Sequence, residues 1–391
     1  MRLPNCILCR SSFDESKVKP EHVLLNSLGG RMTVENVICS SCNQLMGNGP
    51  DEDLAKSVEG LRNYGNLKAG DGDDAPKIIG YRTKNQRFDL LPGGRPEIRP
   101  IRPLKFKEGE GGTVVEINAS DDKHADLLAH GAAKKLAKKF GRNDEVSVAD
   151  LREQINSAKR HSLMEPPEIQ IRTEIGGYRS QQAMAKATLV LWAKLVGNTE
   201  VLERGYDSIR QFIWQQESTS GIEAPTKFDA RPLPSFNEIY GSCPCIVWAG
   251  SDSKGRVFGY FRLYGMLGWR IDLGHSLDVI DRAICLISNP FNPSSWKLYT
   301  EESQPLESTW ILIDWDNYTA ENDTRLDGVT KLMCELRTRS NELFVDNLVS
   351  EALSESGLTV GQIITAQHIS FISNFIAKRL VITRLQVERA V

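Results

Sequence analysis

Long apolar runs are missing from this 391-residue chain. The opening residues, Met1-Arg2-Leu3-Pro4-Asn5-Cys6, hold no apolar core of signal-peptide length, and no later stretch approaches the roughly 20 apolar residues that span a bilayer. A cytoplasmic location without a membrane partner is the expectation. An excess of one charge is missing too, since 48 Lys and Arg stand against 51 Asp and Glu for a formal net charge of -3. A polyanion therefore meets no global attraction and must be held through local basic patches. No internal repeat is present, which excludes solenoids and propellers. No Gly-x4-Gly-Lys-Ser/Thr loop is present, which excludes the common phosphate-cradling nucleotide hydrolases.

What is there fits a globular protein of more than one core. A hydrophobic fraction of 40% with 25% charged residues is ordinary for such chains, and 391 residues call for two or three domains. The run Gly70-Asp71-Gly72-Asp73-Asp74-Ala75-Pro76 breaks all periodicity and reads as a linker. It divides a small module, residues 1–69, from a body, residues 77–391, with further splits expected near 165 and 325.

The body reads as mixed α+β. Short strands are expected at 77–81 and 113–117, joined by a Pro- and Gly-rich extended connection that carries Arg95, Arg99, Arg102, Lys105 and Lys107. Those five cations form a candidate phosphate-contacting arm, although an ordinary solvated loop explains them as well. Apolar spacing of three and four predicts helices at 123–140, 148–159 and 181–196, the last apolar around much of its circumference and followed by an amphipathic helix to 214. β-branched and aromatic residues between turn clusters predict an antiparallel sheet from 245–249, 256–263, 269–273, 282–288 and 310–315. Asp314 and Asp316 read as a strand end passing into a turn. The C-terminal part returns to helix at 329–353 and 361–389.

The eight cysteines divide evenly. Cys243, Cys245, Cys285 and Cys334 lie among apolar neighbours and read as buried free thiols. Cys6 and Cys9, with Cys39 and Cys42, form two Cys-x2-Cys pairs, which outside an oxidising compartment signals zinc before disulfide. The intervening chain has room for a hairpin. A strand beginning at Glu21-His22 would turn through Leu28-Gly29-Gly30, return over Met32 to Ile38 and enter a helix near Cys42. So small a β-β-α unit cannot bury enough apolar surface to hold itself, and a four-thiolate zinc would staple its open end.

Cys-x2-Cys, Glu-His, Leu-Gly-Gly, Asn36 and Cys-x2-Cys-Asn in this order resemble the HNH, or His-Me finger, endonucleases, and most closely a bacterial subgroup with the same Glu-His, Leu-Gly-Gly and Cys-Asn signature. The resemblance covers about residues 6–61. It implies a metal-dependent nuclease acting on nucleic acid, DNA rather than RNA, with His22 as general base. Glu21 and Asn43 would hold one catalytic Mg2+ or Mn2+, Asn36 would brace the hairpin under His22, and the four cysteines would hold a structural Zn2+. By analogy with HNH modules joined to unrelated domains, a restriction or anti-phage role follows, and self-association stays open. The competing class is a non-catalytic zinc module that docks on nucleic acid or protein.

Three features depart from the family pattern, the first being that the proline often found three residues after the histidine is absent, with Leu25-Asn26 in its place. Asn43 stands where many relatives have a second histidine. In addition, adjacent residues of a regular strand point to opposite faces, so Glu21 and His22 can serve one phosphate only if the strand is distorted. His124, His130, His161, His275 and His368 have no partner spacing that suggests a site.

Overall fold

The computed structural model describes residues 3–82, 87–99, 103–109, 112–119, 122–141, 145–157, 174–214, 224–234, 240–301, 304–317, 322–359 and 361–384. They fall into two compact units, one made of Met1–Pro76 with Ile171–Ser340 and the other of Lys77–Gln170 with Asn341–Val391.

In chain order the elements begin with β1 (Glu21–His22), β2 (Thr33–Val34), α1 (Ser40–Gly47), α2 (Pro50–Ser57) and α3 (Glu59–Gly65). Next come β3 (Ile78–Arg82), β4 (Arg87–Leu91), β5 (Arg95–Arg99), β6 (Leu104–Gly109), β7 (Gly112–Ile117), α4 (Asp122–Lys139) and α5 (Glu145–Asn156). The chain continues through α6 (Tyr178–Val196), α7 (Asn198–Val201), α8 (Asp207–Trp214) and β8 (Thr226–Asp229). The last group is β9 (Cys245–Ser251), β10 (Arg256–Leu263), β11 (Leu267–His275), β12 (Ala283–Asn289), β13 (Asn292–Thr300), α9 (Ser308–Leu312), α10 (Asn322–Glu355) and α11 (Ala366–Arg384).

The first unit is built on a six-stranded antiparallel sheet in the order β13-β12-β9-β10-β11-β8. Side chains alternate across it, so each face gathers every second residue. Val247, Ala249, Phe261, Ile284 and Leu286 join a core that also contains α6 and the N-terminal finger, through Leu24, Leu28, Val34 and Met46. Ile246, Trp248, Phe258, Tyr260, Cys285 and Ile287 form the other face with Leu306 and Ile311. Burial on both faces explains why these strands read as continuous apolar runs rather than strict alternation. It also explains α6, whose residues from Ala183 to Ala193 are all buried.

The division into 1–69 and 77–391 is therefore drawn differently in the structure. The finger is not a free-standing module, because its apolar face shares one core with residues from α6 and the sheet. The turn-rich run after Gly70 is stitched down rather than loose. Asn26 takes the Gly70 N–H on its carbonyl at 2.8 Å, the Asn66 side chain binds Asp74 at 3.1 Å and the Ala75 N–H at 3.1 Å, and Asn63 donates to the Pro76 carbonyl at 2.9 Å. The first unit does release the chain at Pro76, and the second begins at Lys77.

The second unit contains a three-stranded antiparallel sheet, β3-β4-β5, the hairpin β6-β7 and the helices α4 and α5. Asp89 is fully buried there and pairs with Lys77 at 3.1 Å. The expected extended connection thus holds three strands, β4, β5 and β6, and its named cations among the described residues lie on the last two. His161, the expected split near 165 and the ends of the helices expected at 148–159 and 361–389 lie outside the described residues. The split expected near 325 falls instead at Ser340, within α10.

Two further expectations are corrected. Residues 310–315 do not form a strand but end α9 and the turn after it. Trp310 packs edge-on against Tyr260 at 5.9 Å, Trp315 against Phe258 at 4.7 Å, and Ile311 is fully buried, so the segment covers the face of the sheet instead of extending its edge. Cys334 is exposed on α10, while Cys243, Cys245 and Cys285 are buried as expected. Burial pushes the Cys243 and Cys245 thiols up to about 12, which suits inert core residues.

Candidate functional site

The metal knuckle forms from local backbone. The Cys6 carbonyl accepts from the Arg10 N–H at 2.8 Å and the Cys6 N–H donates to Ser11 at 2.9 Å, with Arg10 turned to a left-handed φ of 63°. Cys39 caps the N-terminus of α1 and Cys42 lies in its first turn. The Ile7 N–H reaches the Val37 carbonyl at 2.9 Å and ties the two halves together. All four sulfurs lie within 4.8 Å of one another, with Cys6 and Cys42 3.6 Å apart and Cys9 and Cys39 3.7 Å apart. Four thiolates around one zinc at the usual bond length stand about 3.8 Å apart, so the set fits Zn2+, and it is too open for disulfides. The contact with Cys42 draws the Cys6 thiol down to about 5 and pushes Cys42 up.

Between the cysteine pairs, β1 and β2 pair antiparallel, with Glu21 opposite Val34 and His22 opposite Thr33. The Leu-Gly-Gly sequence is required by the turn. Gly29 adopts a φ of 89°, and a Cβ on Gly30 would stand 1.8 Å from the Leu24 carbonyl oxygen. Asn36 also sits at positive φ, 58°, which asparagine tolerates better than most residues. Its side chain donates to Glu15 at 3.0 Å and its carbonyl accepts from Asn198 at 2.6 Å. It shapes the exit of the hairpin; among the described residues no hydrogen bond joins it to His22.

His22 and Glu21 occupy different surroundings, as opposite strand faces require. His22 is half-buried. Burial, and then the charge of Lys186, hold its pKa below the ordinary histidine value, with Asp71 acting weakly the other way. Glu21 is only 6% exposed, and its Oε1 lies 2.6 Å from Lys186 Nζ. The same ammonium stands 2.6 Å from Asp51 Oδ2 in the first turn of α2. Burial pushes the Glu21 carboxyl up and Lys186 opposes it.

The expected metal set of Glu21 with Asn43 does not fit a divalent ion in this arrangement. One Glu21 oxygen already holds an ammonium in the interior, and Asn43, half-buried on α1, offers a single neutral oxygen. No hydrogen bond or ion pair joins Glu21, His22 and Asn43 among the described residues. The cysteine set is the one metal-capable group of His, Cys, Asp and Glu among those residues.

Three contributors escaped the sequence reading. Lys186 was hidden in an apolar helix, where its one signal was a lone charge between Ala185 and Ala187. Asp51 looked like a helix-start acid. Asp71 lay in the supposed linker, yet Asn26 binds its carboxylate at 2.9 Å and its N–H at 3.1 Å, which holds its carboxyl below the usual range beside His22.

The other candidates lie on other elements and turns. Arg95, Lys105 and Lys107 are exposed on β5 and β6 of the second unit, with Lys107 3.5 Å from Glu116. Arg99 ends β5, and Arg102 lies outside the described residues. Asp316 is bound by Arg256 at 3.0 Å, and the Asp314 carbonyl accepts from Arg270 at 3.1 Å, so neither forms a metal pair. His275 contacts the Lys254 carbonyl at 2.9 Å and His368 the Thr365 hydroxyl at 3.1 Å. No helix among the described residues is long and apolar enough to cross a membrane.

Residues 6–59 match the family model described as HNH endonuclease. No curated protein matches the chain. No solved structure matches it either.

Proposed function

We propose that the chain hydrolyses phosphodiester bonds of nucleic acid, DNA in preference to RNA, with His22 as general base, a reading supported by the match of residues 6–59 to the HNH endonuclease model. One observation carries this reading. The finger's single histidine stands half-buried at the start of a hairpin flanked by the zinc-capable cysteines, where burial and the Lys186 charge favour the neutral, proton-accepting imidazole. His22 takes a proton from the attacking water as the new P–O bond forms, and the leaving oxygen departs from phosphorus. Zn2+ on the four cysteines is structural, because a closed thiolate site offers no open position to substrate. The family implies a divalent ion such as Mg2+ or Mn2+; no step is assigned to it, since Glu21 is engaged elsewhere.

Arg95, Lys105 and Lys107 supply phosphate contacts in this reading, and they suit a protein of net charge -3 that must attract nucleic acid locally. A defence role against foreign nucleic acid rests on the analogy with other HNH modules alone. The buried Glu21–Lys186 pair favours one second reading, a zinc scaffold that docks without cutting. Incubation of the purified chain with plasmid, single-stranded DNA and RNA, each with Mg2+, with Mn2+ and with EDTA, tests the proposal. Cleavage of DNA is expected, and a protein that binds nucleic acid but never cuts it leaves the scaffold.

A further inference from the structure

We infer that Lys186 is a built-in cation, occupying the place of a divalent ion between Glu21 and Asp51 and closing Glu21 to metal. The two carboxylates arrive from separate finger elements, Glu21 from β1 and Asp51 from the first turn of α2. Each sets one oxygen 2.6 Å from the same Nζ. Oxygens that converge on a common point from different elements are what a hard cation selects, at roughly 2.1 Å for Mg2+ and 2.3–2.6 Å for Ca2+. Here α6 delivers the positive charge instead.

Burial makes the occupation permanent. Lys186 is 1% exposed, and its flanking residues Met184, Ala185 and Ala187 are buried in the core shared by α6 and the finger. The ammonium cannot swing into water without unpacking that helix, and a hydrated ion has no room to replace it while it stays. The charge balance is incomplete, since one ammonium faces two carboxylates. One of the two oxygens not on the ammonium, Asp51 Oδ1, is buried with no hydrogen-bond partner among the described residues. A site with unmet acceptor capacity is one that a doubly charged ion would fill once the lysine is removed. The ion pair thus joins the finger to α6 through the carboxylate that the resemblance makes a metal ligand, and Glu21 acts by fixing β1 rather than by ligation.

The test reads metal binding and not cleavage, so it stands or falls apart from the nuclease reading. Mn2+ is titrated into the zinc-loaded full chain and free Mn2+ is followed by electron paramagnetic resonance, for the parent, Glu21→Gln, Lys186→Met and the double variant. The parent and Glu21→Gln are expected to bind Mn2+ equally, while Lys186→Met gains about tenfold or more in affinity and loses that gain when Glu21→Gln is added. A parent affinity that falls by about tenfold on Glu21→Gln, or a folded, zinc-replete Lys186→Met with no gain, overturns the inference. Should Lys186→Met not fold, the parent decides by itself. In 15N-lysine-labelled protein the buried Lys186 ammonium should keep its own signal in millimolar Mg2+, and loss of that signal on adding Mg2+ would show an ion displacing it.

Discussion

Lys186, Glu21 and Asp51 are held together almost out of contact with water, so removing one partner strands the others. Lys186→Met leaves two carboxylates in the interior and should lower stability by about 3–5 kcal/mol, whereas adding Glu21→Gln should restore part of that stability. Urea unfolding of the three proteins checks this, and a drop below about 1 kcal/mol would mean that the pair is solvated. His22 carries the pH dependence. Its folded-state pKa is depressed, so the unfolded chain takes up a proton first as pH falls through the ordinary histidine value near 6.5. The contribution of His22 to stability is therefore present above that value and lost as pH falls toward and through the depressed folded pKa. By the same sign, the neutral base survives further into acid than a free imidazole. The acid limb of the cleavage rate should accordingly lie below the ordinary histidine range, and Lys186→Met, which removes one depressing charge, should move it upward.

At the scale of elements, the hairpin, the knuckle and α1 depend on one another through the zinc-capable cysteine set and through the core they share. A fragment ending at Pro76 keeps all four cysteines but loses α6 and the sheet. It should bind about one zinc per chain and still show a poorly dispersed amide spectrum, because Leu24, Leu28, Val34 and Met46 are left without their partners. A well-dispersed spectrum of the zinc-loaded fragment would contradict the shared core. This dependence marks the limit of what the sequence discloses. The knuckle was legible because its ligand spacing is local and chemically specific, and the Leu-Gly-Gly turn because only glycine fits there. Strands β9, β10 and β12 were legible from composition. The Glu21 ion pair was not legible because its partner lies 165 residues away, on a helix whose lone lysine is the one sign of it. Residues 310–315 were misread for a related reason: aromatic and aliphatic side chains suit a strand and a short helix equally, and only the presence of the sheet face decides between them.

At the scale of the molecule, the two units offer different chemistry, a metal-capable finger in the first and exposed cations in the second. If Arg95, Lys105 and Lys107 bind phosphate, replacing all three by Gln should weaken nucleic-acid binding at every sequence. The slope of log affinity against log salt should also fall by about one for each phosphate that is no longer neutralised, with zinc content unchanged. An unchanged slope would return those strands to an ordinary solvated surface. The role of His22 is tested most directly by cleavage of plasmid, single-stranded DNA and RNA by His22→Ala beside the parent, at matched zinc content. Loss of a positioned general base should reduce the rate by about two to four orders of magnitude while binding stays within about twofold. A His22→Ala protein that cuts as fast as the parent would contradict the account.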